Sequence, residues 1–177
     1  PAAKERKYYK TCLGASTRNL PKEEGEVRLV SGSILSGTQL DENAFLGFYD
    51  NTIVALKEGR ERKLLGWLTP GINSESLTRC YATSIKPQKE YEHTTSNNGE
   101  FRAIVDSEMY DRVQPLDINT IFLYKALLAE DIEEAERQGL WCVMPEDFAL
   151  ASYMDPSKNN FGSAVQSILD MLHKEEN

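Results

Sequence analysis

The run EGRERKLLGWLTPG, residues 58–71, decides how this chain divides between surface and interior. Its first half, Gly59-Arg60-Glu61-Arg62-Lys63, is too charged to bury, whereas Leu64, Leu65, Trp67 and Leu68 are apolar, so the chain is expected to cross from surface to core here. Gly66 lets the backbone approach closely before the bulky Trp67. Pro70-Gly71 carries turn chemistry, a φ preset by proline followed by a positive φ on glycine. These residue types make Trp67 a packing residue at a tight corner fixed by Pro70 and Gly71, with an interface as the other use of the same three residues.

Upstream, Phe45-Leu46-Gly47-Phe48-Tyr49 and Ile53-Val54-Ala55-Leu56 read as two strands of a hairpin, joined at Asp50-Asn51. Residues 26–30 alternate polar and apolar, which places Val27 and Leu29 on one face of a strand. Residues 7–13 have the composition of a short strand. Gly14-Ala15-Ser16-Thr17 then offers a turn and a helix N-cap before Arg18-Asn19-Leu20, and Pro21 ends that helix. Downstream, residues 77–85 form another candidate strand, and EHTTSNNGE, residues 92–100, an exposed loop.

The character changes near Arg112. Asp117 is placed to cap a helix carrying Ile118, Ile121, Phe122 and Leu127; residues 132–138 form an acidic helix stopped by Gly139. Pro145-Glu146-Asp147 opens a short helix with acids at the positive end of its dipole, and Pro156 lies just beyond it. In the last helix Phe161, Val165, Ile168, Leu169 and Leu172 make one apolar stripe. The expected class is therefore α+β, with a β-rich part over residues 1–114 and a helical domain over residues 115–177.

Composition narrows the function. A chain of 177 residues, 40% hydrophobic and 27% charged, reads as an ordinary globular protein with one sizeable core or two small ones. It begins at Pro1 without a basic-then-apolar leader, so it is expected to be a piece of a larger cytoplasmic protein. Residues 115–177 hold 4 Lys and Arg against 12 Asp and Glu, whereas residues 1–114 balance to zero, so the whole net charge of −8 lies in the tail. An acidic tail repels phosphate backbones, which argues against nucleic acid as its partner. The cluster Lys4, Arg6, Lys7 and Lys10 reads as a solvated terminus.

Cys12, Cys80 and Cys142 are odd in number and too widely spaced for a zinc clip or a disulfide framework. No apolar run has the length of a membrane span; residues 120–129 are the best candidate and Lys125 interrupts them. Gly14, Gly32 and Gly37 do not form a phosphate-binding motif, Ser31-Gly32-Ser33 lacks the setting of a nucleophile, and neither His93 nor His173 has partners at metal-ligand or general-base spacing. No residue is assigned a catalytic, cofactor-binding or metal-ligating role.

RLVSGSILSG (residues 28–37), the opening run (58–71) and DRVQPLDI (111–118) together resemble the C-terminal part of the A subunit of the bacterial Na+-translocating NADH:quinone oxidoreductases, in the same order and at similar separations. The resemblance implies a small β-grasp, soluble-ligand-binding module, shared with the NADH-binding subunit of complex I and the C subunit of the Rnf complex. After it the resemblance implies a helical domain similar to an α-helical ferredoxin. In Rnf that domain holds iron–sulfur clusters on CxxCxxCxxxCP runs; here the corresponding positions are Pro145, Phe148, Ala151 and Asp155, and Gln114 stands where a ligand cysteine would precede Pro115. Cys142 falls outside the register. The resemblance thus implies a degenerate ferredoxin-like domain without a cluster.

Such a chain would be a peripheral component on the cytoplasmic face of the bacterial inner membrane, held by membrane-embedded partner subunits. It would contribute docking and quinone-site scaffolding to a complex that uses NADH, flavins, an iron–sulfur centre and ubiquinone, while binding none of them itself and being inactive alone. The alternative is a stand-alone β-grasp module that binds a small molecule without catalysis.

Overall fold

The computed structural model describes residues 7–12, 14–18, 25–41, 43–61, 64–75, 79–86, 90–104 and 108–175. It divides into two compact units, residues 1–98 and 99–177. The class is α+β: among the described residues, the first unit holds one three-stranded antiparallel sheet and the second holds five α-helices.

The sheet comprises β1 (Val27–Ser31), β2 (Thr38–Leu40) and β3 (Ile53–Lys57), in the order β2-β1-β3. The alternation read at β1 holds. Leu29 sits opposite Leu40 on one side and Ala55 on the other, and Val27, Leu40 and Ile53 pack around the buried Leu29–Ala55 pair.

The hairpin expected between residues 45–49 and β3 does not form. β3 pairs with β1 instead, and Phe45 makes an isolated bridge to Ser16. The physical reason is visible at Asp50. Its amide donates to the Gly47 carbonyl (3.1 Å) and its carboxylate accepts the Ser31 hydroxyl (2.5 Å), so residues 47–50 close a turn of their own and Phe48 and Tyr49 remain exposed.

Residues 7–12 carry no strand, and Leu13 lies outside the described residues. The short helix expected at residues 18–20, and Pro21, also fall largely outside them. In place of a strand at residues 77–85 there is a 3-10 turn, Ala82–Ser84, with residues 76–78 outside the described set. Residues 92–100 form the expected loop, tied to β3 by a bridge between Lys57 and Thr94.

In the second unit, α1 (Glu108–Asp111) is a single turn, too short to leave a periodic signal. α2 (Thr120–Leu128) is capped by Asn119 rather than Asp117; the Asn119 side chain accepts the Phe122 N–H at 3.1 Å. A cap oxygen must reach an amide two or three positions into the helix, and Asp117 lies two residues too early. Asp131 caps α3 (Ile132–Arg137) by accepting from Glu134 N–H, and Gly139 ends that segment at φ 95°. A 3-10 turn over Pro145–Phe148 leads into α4 (Ala149–Met154), with the Asp147 carboxylate accepting the Met144 N–H at 2.8 Å.

The last helix, α5 (Phe161–Glu175), buries Phe161, Val165 and Ile168, and Leu169 and Leu172 pack against the same core. Phe161 is its centre. Its ring lies 4.3 Å from that of Tyr124, 5.1 Å from Tyr110 and 6.4 Å from Phe148. Residues 99–104 belong to this unit and run along the loop before α5, with Arg102 N–H donating to Ser157 O at 2.9 Å.

Candidate functional site

The corner at residues 64–71 forms, but not as a descent into the core. Leu65 adopts φ 51° and opens a 3-10 turn over Gly66–Leu68, whose end is tied by the Thr69 hydroxyl donating to Gly66 O (2.8 Å). Leu64, Leu65 and Leu68 stay exposed, which corrects the expectation that they enter the interior. The small sheet core closes on Leu29 and Ala55 with Val27, Leu40 and Ile53 around them, and it does not take in these leucines. The side chain of Trp67 lies outside the described residues. Pro70 and Gly71 do fix the corner: Ala82 N–H donates to Pro70 O at 2.9 Å, Gly71 takes φ 61°, and a Cβ at Gly71 would overlap the Tyr81 ring.

The charged half of the same run is held to β1 and to the 92–100 loop. Glu58 receives two hydrogen bonds from the Arg28 guanidinium (2.7 and 3.1 Å) and one from the Thr95 hydroxyl (2.8 Å); Gly59 N–H donates to that same hydroxyl oxygen. The Thr95 hydrogen bond, then Arg28, hold the Glu58 carboxyl below the usual carboxylate range. Arg60 pairs with Glu26, and Lys57 with Glu92 at 2.8 Å. Nearby, the buried Ser31 hydroxyl donates to Asp50 and accepts from Gly47 N–H, which makes it a structural tie.

The most fully built polar centre is one the sequence reading did not single out as such. The Asp155 carboxylate is completely buried and accepts four hydrogen bonds: Tyr110 hydroxyl (2.8 Å), Ser157 N–H (2.8 Å), Asn159 N–H (2.7 Å) and Asn159 Nδ2 (2.6 Å). Tyr124 donates to Asn159 Oδ1 at 3.2 Å, and burial, with the Asp155 charge second, raises its phenol. Four neutral donors converging on one carboxylate satisfy it without a cation. The signal in the sequence was Asp155-Pro156-Ser157-Lys158-Asn159, an aspartate followed by amides it can accept from two and four residues on.

This arrangement does not fit an iron–sulfur cluster. Clusters take thiolates, and the four positions that the resemblance assigns hold Pro145, the ring of Phe148 stacked on Phe161, the buried Ala151 and the fully committed Asp155. Cys12, Cys80 and Cys142 are all exposed. Among the described residues no three His, Cys, Asp or Glu side chains gather into a metal-binding group, and no helix is long and apolar enough to cross a membrane.

A family described as the NQRA C-terminal domain matches residues 1–42. Over 99% of its length the chain is 38% identical to the A subunit of the Na(+)-translocating NADH-quinone reductase of Aliivibrio salmonicida. The expected resemblance to that family holds. Identity is 38% to the protein of the same name from Shewanella frigidimarina and 37% to the one from Vibrio campbellii, again over 99% of this chain. In each case the chain spans 40% of the relative's length.

Proposed function

We propose that this chain is a non-catalytic part of the A subunit of a sodium-translocating NADH:quinone reductase, docking that subunit on membrane-embedded partners and helping to shape the quinone-reaction region. The observation that carries the reading is 38% identity sustained over 99% of the chain. The relatives' name describes an assembly that moves Na+ across a membrane, which requires partners that satisfy their backbones inside lipid. In this reading the chain sits on the cytoplasmic face of the bacterial inner membrane, and NADH, flavins, an iron–sulfur centre and ubiquinone belong to the rest of the complex. The sheet part of the chain acts as a β-grasp-like module, and the helical part as a ferredoxin-like domain stripped of its ligands. The Asp155 carboxylate, met by four neutral donors where a cluster thiolate would stand, supports the second assignment.

Deleting residues 115–177 from the intact subunit tests the docking role, with loss of complex assembly and of quinone reductase activity expected. Assembly and activity that survive the deletion overturn it. A ubiquinone titration followed by tryptophan fluorescence is expected to saturate with the longer protein but not with this chain alone. Saturation with this chain would favour a stand-alone ligand-binding module instead.

A further inference from the structure

Helix α2 is apolar nearly all round. It buries Ile121, Leu123, Tyr124 and Leu127 in the core, yet Phe122 and Leu128 remain 57% and 59% exposed on its outer side. The exposed Lys125 lies between them at the same three-residue step, so the three side chains form one line along the helix surface. A helix apolar on every side belongs in a place where every side is covered.

The surroundings say what kind of cover fits. Residues 99–177 hold 6 Lys and Arg against 16 Asp and Glu, a net of −10. Glu130, Asp131 and Glu133, all exposed, follow the stripe directly. An apolar line running into carboxylates is complementary to an apolar hollow bordered by Lys and Arg, and it is repelled by an anionic lipid surface. In proteins that span a membrane, Lys and Arg concentrate in the cytoplasmic loops. We infer that the Phe122–Lys125–Leu128 face of α2 docks on a basic cytoplasmic loop of a membrane-embedded partner subunit.

This inference rests on the docking role proposed above and names the face and the partner's chemistry. It also gives Lys125 a definite sign. Against a basic loop it is the one misplaced charge in the stripe, so making it acidic should tighten the contact, whereas against lipid headgroups or an acidic partner the same change would loosen it.

The experiment compares co-purification of the intact complex for three versions of the full-length protein: wild type, Phe122→Asp with Leu128→Asp, and Lys125→Glu. The three positions are exposed, and circular dichroism with thermal unfolding verifies that each version is folded; Phe122→Ala with Leu128→Ala serves if the aspartates disturb the helix. The double variant is expected to lower co-purification at least about tenfold, the scale of losing central apolar anchors. Lys125→Glu is expected to raise it about twofold to fivefold at ~0.1 M salt, with the gain vanishing near ~1 M as the screening length falls to ~3 Å.

Unchanged co-purification of the double variant, or weakening by Lys125→Glu, overturns the inference. So does binding of the chain to vesicles of phosphatidylcholine and phosphatidylglycerol that the double variant abolishes. If deletion of residues 115–177 blocks assembly while the double variant assembles normally, docking stands and only the α2 face is wrong. If assembly survives the deletion, the docking role itself is wrong.

Discussion

Among the described residues, the helical unit buries fifteen apolar residues around Phe161, whereas the sheet unit buries four, Leu29, Val30, Ala55 and Leu56. Exposure runs the other way: twelve large apolar side chains lie open in the sheet unit and seven in the helical unit. The sheet unit is held instead by backbone ladders, by the Arg28–Glu58–Thr95 and Ser31–Asp50 ties, and by the close approach of Gly71 to Tyr81. A unit built this way leaves more of its large apolar side chains at its surface than it buries. The helical unit keeps its own core and offers a narrow stripe on α2.

The sharpest way to break this contrast is to empty each core. Phe161→Ala removes the ring that touches Tyr110, Tyr124 and Phe148 and should cost about 3–5 kcal/mol, while Leu29→Ala, in a shallower cluster that can relax, should lie near the low end of the range for its type, about 2 kcal/mol. Urea unfolding followed by circular dichroism measures both. A larger cost for Leu29→Ala would reverse the comparison. Next in size is Asp155→Ala, which removes the buried acceptor shared by the Tyr110 hydroxyl and three donors of the 157–159 loop. About 3 kcal/mol is expected, with hydrogen exchange at the Ser157 and Asn159 amides accelerating first.

The same contrast explains what the sequence made legible. Helices announce themselves through local rules, so the α5 stripe and the Gly139 stop could be read from spacing alone, although the cap of α2 was placed at Asp117 instead of Asn119. Strand pairing is non-local. The alternation at β1 was readable, but its choice of β3 as partner was decided by Leu29 meeting Ala55 and by Asp50 turning toward Ser31, neither of which sequence spacing encodes. The leucines of the opening run were misplaced for a related reason: hydrophobicity says that a side chain prefers cover, not that this unit has room to supply it. The position of Asp155 could be flagged by resemblance, yet its role needed Tyr110 and Asn159 to be seen around one carboxylate.

A smaller effect tests the corner. Gly71→Ala puts a side chain at φ 61° and against the Tyr81 ring, for a cost of at least about 1–2 kcal/mol from the backbone conformation alone. It should appear as faster exchange at the Ala82 amide, which donates to Pro70. If Gly71→Ala slowed exchange there, the corner would not be organised by this close approach.

The smallest effect separates the units by pH. The Glu58 carboxyl is held below the ordinary carboxylate value by Thr95 first and Arg28 second, so the folded sheet unit binds that proton more weakly than the unfolded chain. Its contribution is present above about 4.5 and is lost as pH falls through the depressed folded value. The Tyr124 phenol is raised by burial first and by Asp155 second, so its contribution is full below about 10 and fades as pH climbs beyond that. Acid should therefore loosen the sheet unit at the Gly59 amide, which donates to Thr95, while alkali should loosen the helical unit at the Asn159 amide. Glu58→Gln should blunt the first response and Tyr124→Phe the second, each leaving the other intact. Exchange measured at both amides across the two pH ranges decides the point: a Glu58→Gln chain whose Gly59 amide still opens in acid as in the parent would show that the charged half of the opening run is not what holds this edge of the sheet.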